Sequence, residues 1–378
     1  MKKCVVVSDS FKGTVSSREI CEIAQRVIPR HFPACEVVCI PVADGGEGTV
    51  DCFIQAMGAQ RVEVTVTNAL GEKTAAAYAR IGELAIIEMA AAAGLPQVGA
   101  LRCPGTATTY GVGELIAHAV DSGCRKILLG LGGSATNDGG CGCAAALGVG
   151  FLDADGQSFV PVGDTLGRIA RIDTAEADEL LRSVEITVMC DVTNPLYGPT
   201  GAAYVFAPQK GADAEKVKSL DAGLRHFGDV IRSQLGIDVS RMPGAGAAGG
   251  MGAGCVALLG GMIQSGIDAV LDVTGFDRQL EGADLVITGE GRIDSQSAGG
   301  KVISGVARRT KAKGIPLIAI AGGIADSAGA VYDIGVSAMF STDRAALPVD
   351  MLGARSPGDY EATLSDIMSL IAIAERFA

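Results

Sequence analysis

Short apolar runs alternate with amphipathic stretches at both ends of the 378-residue chain, and this alternation restricts the fold more than any other feature of the sequence. Near the N-terminus the apolar runs are Cys4–Val7 and Val37–Val42, and between them Ser16 and Glu19 have the spacing of a capping box that opens a helix. A parallel sheet with helices on its faces produces this pattern, so we predict a doubly wound α/β domain to which both termini contribute. Its C-terminal elements are predicted at the strands Leu285–Thr288, Pro316–Ala321 and Val336–Phe340 and the helices around Lys301–Ala312 and Ser327–Ile334.

The middle of the chain has a different pattern. Three short apolar runs, Val62–Val66, Ala75–Arg80 and Leu84–Glu88, are separated by turn-length gaps, which favours antiparallel pairing. Further strands are predicted at Lys126–Leu131 and Glu185–Cys190. We therefore predict two domains: residues 1–60 and 270–378 form the parallel-sheet α/β domain, and residues 61–269 form a mixed α/β domain inserted into it. A cleft between two such domains is the usual place for a ligand.

Composition and charge exclude several classes of partner. Hydrophobic residues make up 48% of the chain, which is enough for sizeable packed cores. The net charge of −12 opposes binding to nucleic acid or to an anionic membrane, so an anionic substrate must be met by local cations, backbone N–H groups or a metal. No apolar run approaches the ~18 residues of a membrane span. The sequence leaves the oligomeric state open, and a homo-oligomer is compatible with it.

The eleven cysteines follow no metal-binding pattern. Only Cys141 and Cys143 are closely spaced, and His31, His118 and His226 are far from them in sequence. We interpret the cysteines as reduced thiols that act as small apolar residues. The apolar stretch after Met1 is also too short for a signal peptide, and we therefore expect a cytoplasmic protein.

Five segments share one property: each follows the C-terminal end of a predicted strand and contains glycine beside polar or charged residues. Ligands of open α/β sheets bind outside the carboxyl ends of the strands, where helix N-termini offer free N–H groups. Glycine lets such a backbone approach an anion closely. We predict that the five segments are flexible loops whose amides surround an anionic ligand. They are Ser8–Thr14, Ala43–Thr49, Gly130–Gly140, Cys190–Pro195 and Ile287–Lys301.

Aspartate recurs in these segments beside lysine or arginine, and this combination is typical of phosphoryl transfer. Carboxylates hold Mg²⁺, cations meet phosphate oxygens, and one aspartate can accept the proton of a hydroxyl group. The predicted catalytic residues are Asp191, Asp294, Lys12 and Arg292, with Asp191 also the predicted metal ligand. The predicted substrate- or phosphate-binding residues are Asp9, Ser10, Asp44, Gly45, Gly46, Gly48, Thr49, Ser134, Asn137, Asp138, Gly289, Glu290, Gly291 and Lys301.

Asp191 and Asp294 follow strands of different predicted domains. We therefore expect them to face one another across the cleft, one holding Mg²⁺ and the other orienting the attacking hydroxyl. Which of them is the base stays open. Each could instead cap a helix or fix its own loop through backbone N–H groups.

Two familiar nucleotide-binding motifs were tested against the sequence. A Walker A motif fails, because Ser295 stands where its first glycine is required and Val302 follows Lys301. The run Gly244–Gly249 does have the G-x-G-x-x-G spacing of dinucleotide-binding folds. However, Arg241-Met242-Pro243 precedes it in place of a strand, so the motif is weak support for a nicotinamide site.

Several motifs spread over about residues 1 to 325 together resemble one known family, the bacterial glycerate kinases of the glycerate 2-kinase type. The motifs are Ser8–Lys12, Pro41–Thr49, Gly132–Gly140, Cys190–Leu196, Gly244–Gly252 and Ile287–Asp294 with Gly300-Lys301. Two departures are minor: Val7-Ser8 stands where the family usually has Ala-Pro, and Gln296-Ser297 where Gln-Thr is common.

The resemblance implies ATP-dependent phosphorylation of D-glycerate with Mg²⁺, in a two-domain fold whose Rossmann-like domain is built from both termini. It implies 2-phosphoglycerate as the product, although the residues alone leave a glycerate 3-kinase open. Two hypotheses from other classes also remain at this stage. One is a nicotinamide-dependent oxidoreductase that uses Gly244–Gly249, and the other is a non-catalytic sensor of small carboxylates.

Overall fold

The chain divides into two compact units, one built from both ends of the sequence and one from its middle. The first unit comprises residues 1–44, 55–57 and 267–378, and the second comprises residues 45–54 and 58–266. They are the structural counterparts of the two predicted domains, whose boundaries at residues 60 and 270 stay a prediction. The computed structural model describes residues 1–11, 14–40, 42, 49–299, 301–345 and 353–377.

Strands and helices alternate along most of the described chain. The strands are β1 (Lys3–Ser8), β2 (Glu36–Cys39), β3 (Gln60–Thr67), β4 (Lys73–Ile81), β5 (Leu84–Glu88), β6 (Lys126–Gly130), β7 (Gly150–Leu152), β8 (Arg171–Asp173), β9 (Glu185–Met189), β10 (Met262–Gln264), β11 (Leu285–Ile293), β12 (Leu317–Ile324) and β13 (Ala338–Ser341). The helices are α1 (Ser17–His31), α2 (Thr49–Met57), α3 (Ala90–Ala93), α4 (Leu95–Val98), α5 (Tyr110–Asp121), α6 (Cys141–Ala146), α7 (Ala175–Leu181), α8 (Ala202–Phe206), α9 (Ala214–Leu235), α10 (Ala247–Leu259), α11 (Gly266–Val273), α12 (Phe276–Gln279), α13 (Val302–Lys313), α14 (Ala330–Ile334) and α15 (Ser356–Ala374). Short 3₁₀ turns lie at Gly163–Arg168, Pro208–Lys210, Ser295–Ala298, Asp326–Gly329 and Gly353–Arg355.

The sheet of the first unit is parallel throughout its described strands, which confirms the predicted doubly wound, Rossmann-like architecture. Its strand order is β13-β12-β11-β1-β2. The chain passes from β1 to β2 on one side, whereas β11, β12 and β13 extend the sheet on the other side. The order therefore reverses between β1 and β11, and the crevice at such a point is where open α/β sheets bind ligands.

Strand β11 corrects the prediction that Ile287–Lys301 is a flexible loop. The strand continues to Ile293, because Glu290, Arg292 and Ile293 all pair with β12. Glycine is required at position 289 by the close packing of the strands, since a Cβ atom there would lie 2.2 Å from the Ile320 carbonyl oxygen. Sequence reasoning took glycine as a sign of flexibility, whereas this glycine lets two strands approach closely. Glu290 and Arg292 are consequently held on a strand.

Helix α1 begins as the sequence predicted. Ser16 Oγ accepts a hydrogen bond from the Glu19 amide at 3.1 Å, and Glu19 Oε2 accepts one from the Ser16 amide at 2.9 Å. These bonds satisfy two backbone donors that a helix N-terminus otherwise leaves without partners. Behind this cap, α1 packs Ile20, Ala24 and Val27 into the core of the first unit, and all three are fully buried.

The second unit contains a mixed sheet with the order β10-β9-β6-β5-β4-β3. Its strands β3, β4 and β5 pair antiparallel, as predicted, whereas β5, β6, β9 and β10 pair in parallel. The carboxyl ends of β5, β6 and β9 therefore lie at one edge of the sheet. Strands β7 and β8 form a separate antiparallel pair.

A large apolar cluster supports this sheet. Tyr78, Phe151 and Phe227 are among its fully buried side chains, with at most 1% of their surface exposed. Burying one large apolar side chain stabilises a fold by about 1.5–3 kcal/mol, so this cluster contributes much of the stability of the second unit. Among the described residues, no helix combines the length and apolar character needed to cross a membrane.

Candidate active site

The reversal point of the first sheet places Asp9 and Ser10 beside β11. Ser8 pairs with Gly289, and the Asp9 amide donates a 2.9 Å hydrogen bond to the Gly289 carbonyl oxygen. The Asp9 carboxylate in turn accepts a hydrogen bond from the Ser10 amide at 2.7 Å. Phe11 anchors this segment, because it is buried and its ring lies edge-on to that of Tyr360 with the centroids 5.7 Å apart.

Glu290 is a buried carboxylate at the same edge, with 6% of its surface exposed. Its Oε1 atom accepts a hydrogen bond from Ser297 Oγ. Burial raises the pKa of Glu290, the Ser297 hydroxyl and the Lys301 ammonium lower that pKa, and the Asp9 and Asp294 carboxylates raise it. The structure thus brings together four charged residues that the sequence singled out. We call this set the acidic cluster: Asp9, Glu290, Asp294 and, as its cation, Lys301.

Asp294 begins the 3₁₀ turn that follows β11. Its Oδ1 atom accepts a hydrogen bond from the Gln296 amide at 2.8 Å, and its own amide donates to Ser297 Oγ at 3.1 Å. Ser297 therefore connects Asp294 to Glu290 through its hydroxyl group. Sequence reasoning did not select Ser297, although a polar side chain three residues after an aspartate is a capping-box signal that could have identified it.

Lys301 occupies the N-cap position of α13. Its carbonyl oxygen accepts hydrogen bonds from the Gly305 amide at 3.1 Å and from Ser304 Oγ at 2.8 Å, and its side chain is exposed. The first turn of α13 contains no acidic residue, so the positive end of the helix dipole and the Lys301 ammonium reinforce one another. Both favour an anion at this helix N-terminus. Arg292 lies exposed on β11, and the Gly291 carbonyl oxygen would be only 2.6 Å from a Cβ atom on Gly322.

In the second unit, the segment after β6 is held by a buried lysine that sequence reasoning missed. Lys210 Nζ donates hydrogen bonds of 2.7 Å to Ser134 Oγ and of 2.7 Å to the Thr136 carbonyl oxygen. Lys210 is 2% exposed, and burial lowers its pKa to about 7, an effect that the Asp138 carboxylate opposes. A lysine in a Pro-Gln-Lys-Gly turn gives no sign of burial in the sequence, because such a turn is usually exposed to solvent.

Asp138 lies fully buried in the same segment. Its carboxylate accepts hydrogen bonds from the Thr109 amide and hydroxyl, both at 2.8 Å, from the Gly140 amide at 3.1 Å and from the Gly142 amide at 3.3 Å. Burial raises the pKa of Asp138 and these four donors lower it. Four donors of the same unit already bind this carboxylate, so the geometry gives Asp138 a structural task. Its predicted contact with a substrate stays a prediction.

Asn137 has the opposite situation. It is fully buried, and neither its side-chain oxygen nor its side-chain nitrogen has a hydrogen-bond partner among the described residues. An unpaired buried amide costs roughly 1–3 kcal/mol, so a polar group that approached Asn137 would be bound favourably. Asn137 was a predicted binding residue, and these two unpaired atoms are the structural observation that favours such a role.

The G-x-G-x-x-G run packs directly against this segment. A Cβ atom on Gly249 would lie 2.1 Å from the Thr136 carbonyl oxygen, and the Gly249 carbonyl oxygen accepts the Gly139 amide at 3.0 Å. Ala248, Gly249 and Gly250 all have positive φ angles, of 52°, 69° and 90°. The run follows turns and not a strand, so it lacks the strand-loop-helix context of a dinucleotide fingerprint. Its glycines serve a close approach of two backbone segments.

Two further predicted residues lie at the carboxyl edge of this sheet or beside it. Asp191 follows β9, is exposed, and accepts a hydrogen bond from the Gly266 amide on Oδ1 at 2.8 Å. Thr49 is buried at the start of α2, where Glu88 Oε1 accepts the Val50 amide at 2.7 Å. Glu88, the last residue of β5, was not predicted, although an acidic residue at the end of a strand is a recognisable signal.

The remaining predicted residues, Lys12, Asp44, Gly45, Gly46 and Gly48, lie outside the described part of the chain. Within the described part, no group of three or more His, Cys, Asp or Glu side chains is arranged to hold a metal ion. Mg²⁺ needs fewer protein ligands, because it usually keeps several waters and takes one or two carboxylates together with substrate phosphates. The carboxylates of the acidic cluster in one unit, and Asp191 in the other, are the hard oxygen donors that suit this ion.

Similarity to known proteins identifies the family of this chain. A model of the glycerate kinase family matches residues 4–372. The glycerate kinase of Bacillus cereus (strain ATCC 10987 / NRS 248) is 46% identical over 377 residues, which is 99% of each chain. The glycerate 2-kinase of Escherichia coli (strain K12) is 46% identical over 343 residues, 90% of each chain. A crystal structure described as glycerate kinase 2 from Salmonella typhimurium LT2 is 39% identical with a TM-score of 0.88, and the match covers 99% of both chains. Because the family match spans almost the whole sequence, the chain belongs to the glycerate kinase family, whose members are phosphotransferases.

Proposed function

We propose that the protein phosphorylates D-glycerate, with ATP as the phosphoryl donor and Mg²⁺ as the metal, and that 2-phosphoglycerate is the product. The observation that carries the proposal is the acidic cluster of Asp9, Glu290 and Asp294 beside Lys301. It lies at the strand-order reversal of a parallel sheet, in a chain of the glycerate kinase family. The choice of the 2-hydroxyl is supported by the identity with the Escherichia coli glycerate 2-kinase.

The charge balance of the cluster supports a metal-dependent reaction. Both proposed substrates are anions, and three carboxylates in one place would repel them unless a cation intervened. Mg²⁺, when bound, neutralises charge on the transferring phosphoryl group. Asp9 and Glu290 on the first unit offer oxygen donors of the right kind, and Asp191 is the proposed metal ligand of the second unit.

The cations and amides of the two units are proposed to hold the anionic groups. Lys301 and the N-terminus of α13 are suited to phosphate oxygens, because the helix dipole adds to the lysine charge. Lys12 and Arg292 are proposed to meet the remaining charge. Close contact with substrate or phosphate is proposed for Ser10, Gly289 and Gly291, and for Asp44, Gly45, Gly46, Gly48 and Thr49. Ser134 and Asn137 are proposed to contact substrate in the second unit, with Asp138 shaping that segment.

The attacking hydroxyl of glycerate needs a proton acceptor. Asp191 and Asp294 are both proposed for this task, since each is a carboxylate on a segment that follows a strand. Asp294 uses Oδ1 to bind the Gln296 amide, which fixes the direction of its carboxylate. A carboxylate held by one backbone amide keeps lone pairs that can accept a further proton donor.

A coupled assay of ADP release tests the proposal. The purified protein should release ADP only when ATP, D-glycerate and Mg²⁺ are all present, and omission of each in turn is the control. Phosphorus NMR of the product should show 2-phosphoglycerate. Absence of glycerate-dependent turnover would refute the kinase activity, and a 3-phosphoglycerate signal would refute only the position of transfer. We propose a cytoplasmic setting, in which ATP is available and thiols stay reduced.

A further inference from the structure

Lys210 is a buried charged group that the proposed reaction does not yet use. It ends the 3₁₀ turn Pro208–Lys210, and only 2% of its surface is exposed. Lysine is almost never fully buried unless it is paired, because removing an ammonium group from water is costly. The position of Lys210 therefore requires an explanation in terms of what it contacts.

Both hydrogen bonds of Lys210 go to one short segment. They end on Ser134 Oγ and on the Thr136 carbonyl oxygen, each at 2.7 Å. The same segment continues into Asn137, whose buried amide has no partner among the described residues, and into Asp138. Lys210 thus fixes two points immediately before the side chain whose unpaired atoms favour a ligand.

Stability alone does not account for this arrangement. Replacing a buried ion pair by apolar side chains of similar volume is often neutral or stabilising, so a buried ammonium is weak evidence for a role in stability. The lowered pKa of Lys210 agrees with that view, since it shows that burial penalises the charged form more than the nearby Asp138 favours it. The two charge-assisted hydrogen bonds of Lys210 also fix the geometry of the segment that contains Ser134 and Thr136.

We propose that Lys210 is a positioning residue for the kinase reaction, which fixes the segment Ser134–Asn137 in the geometry that meets the substrate and acts through Ser134. The inference rests on the proposed function, in which Ser134 and Asn137 contact substrate. Lys210 itself does not touch the substrate, because its ammonium is enclosed and bonded to the segment. Among the described residues, the Asp138 carboxylate favours the charged form of Lys210 electrostatically.

The substitution Lys210→Met tests the proposal, because methionine keeps the length and volume of the side chain and removes the charge. The matched control is Lys218→Met on α9, an exposed lysine paired with Glu215 at 2.8 Å. The wild-type protein must first show glycerate-dependent ADP release. If it does not, the proposed function fails; if it does and the variant is unchanged, only the role of Lys210 fails. We expect Lys210→Met to lower kcat/KM for D-glycerate at least tenfold, with a Tm within about 5 °C of the wild type, while Lys218→Met keeps both values.

A double-mutant cycle separates positioning from general structural support. If Lys210 acts through Ser134, the variant Ser134→Ala combined with Lys210→Met should be no less active than Lys210→Met alone. The proposal would be overturned if the activity of the double variant fell by the product of the two single-variant losses. It would also be overturned if Lys210→Met kept kcat/KM within twofold of the wild type. Lys210→Gln repeats the test should the methionine variant not fold. If neither variant folds, Lys210 is a structural residue and the positioning role is rejected.

Discussion

Glu290 in the first unit and Asp138 in the second are both buried carboxylates, yet their surroundings differ. Among the described residues, Asp138 accepts four hydrogen bonds, from Thr109, Gly140 and Gly142 of the same unit. In the same part of the chain, Glu290 accepts one, from Ser297, and two further carboxylates raise its pKa. Burial raises the pKa of both groups, so burial alone does not distinguish them.

The difference lies in what each carboxylate still needs. A carboxylate with four internal donors has its lone pairs satisfied and serves to fold the chain around it. A carboxylate with one donor and acidic neighbours is favoured by an added cation or a hydrogen-bond donor from a ligand. A buried acid in a sequence motif can therefore be structural or functional, and the number of hydrogen-bond donors to its carboxylate distinguishes the two. This difference predicts that Asp138 variants lose stability and that Glu290 variants lose activity.

The largest effect is expected from Asp138→Asn. The amide side chain would turn an N–H group toward donors that now bind the carboxylate, so the variant should lose about 3 kcal/mol or more of unfolding free energy. Urea unfolding followed by circular dichroism measures the loss. Asp229→Asn on α9 is the control, because that aspartate is exposed and should change stability by less than about 0.5 kcal/mol. A stable Asp138→Asn protein without activity would mean that Asp138 is functional after all.

Glu290→Gln is expected to lose activity and to keep its stability, the reverse of Asp138→Asn. Kinase activity should fall about a hundredfold in kcat/KM, equivalent to ~2.7 kcal/mol, because the charge proposed to act on the ligand is lost. Stability should be kept or improved, since a buried carboxyl with a raised pKa is replaced by a neutral amide that can still pair with Ser297. Glu281→Gln, which changes an exposed acid of the same unit, should leave activity at the wild-type level. If Glu290→Gln unfolds and inactivates the protein together, Glu290 is structural like Asp138.

Local patterns predicted much of the fold. The strand at Cys4–Val7 and the capping box at Ser16 depend on residues that are near one another in sequence, and both are present in the structure. The antiparallel strands of the second unit follow from runs separated by short turns in the same way. The end of β11 was not predictable by this reasoning, since what continues that strand is its pairing with β12, and Ile293 pairs with Ile324, 31 residues later.

The candidate site was predicted only as far as its motifs reach. Asp9, Glu290, Asp294 and Lys301 lie in glycine-containing segments after strands, and the structure brings them together. Lys210 lies in no such segment, and its two acceptors precede it by 76 and 74 residues. Its burial is therefore a tertiary property that no local pattern reports.

A smaller effect is expected from Lys301→Ala. The ammonium is exposed and makes no side-chain cap bond, so stability should hardly change, whereas loss of the proposed contact with phosphate should lower kcat/KM about tenfold. Lys311→Ala at the other end of α13 is the control, since Lys311 Nζ bonds only to the Asp333 carbonyl oxygen among the described residues. Activity of Lys301→Ala within twofold of wild type would show that Lys301 merely balances the charge of the acidic cluster.

A further expected effect is on the pH dependence of stability, and it has opposite directions for the buried charges of the two units. The folded-state pKa of Glu290 is raised above its ordinary value of 4.5, so its contribution to stability is present below pH 4.5 and is lost as pH rises through the folded-state pKa. The pKa of Lys210 is lowered from 10.5 to about 7, so its contribution is present above pH 10.5 and is lost as pH falls through 7.

Unfolding free energies of Glu290→Gln, Lys210→Met and the wild type over a pH series measure the contributions of the two groups separately. Relative to the wild type, the unfolding free energy of Glu290→Gln should increase as pH rises from 4.5, because the wild type then loses the Glu290 proton in its unfolded state before its folded state does. That of Lys210→Met should increase as pH falls from 10.5 to 7, because the wild type then binds a proton at Lys210 in its unfolded state before its folded state does. Urea unfolding at each pH measures both differences. Two differences that stay constant with pH would show that burial shifts the pKa of neither group, and the roles proposed for Glu290 and Lys210 would then rest on their hydrogen bonds alone.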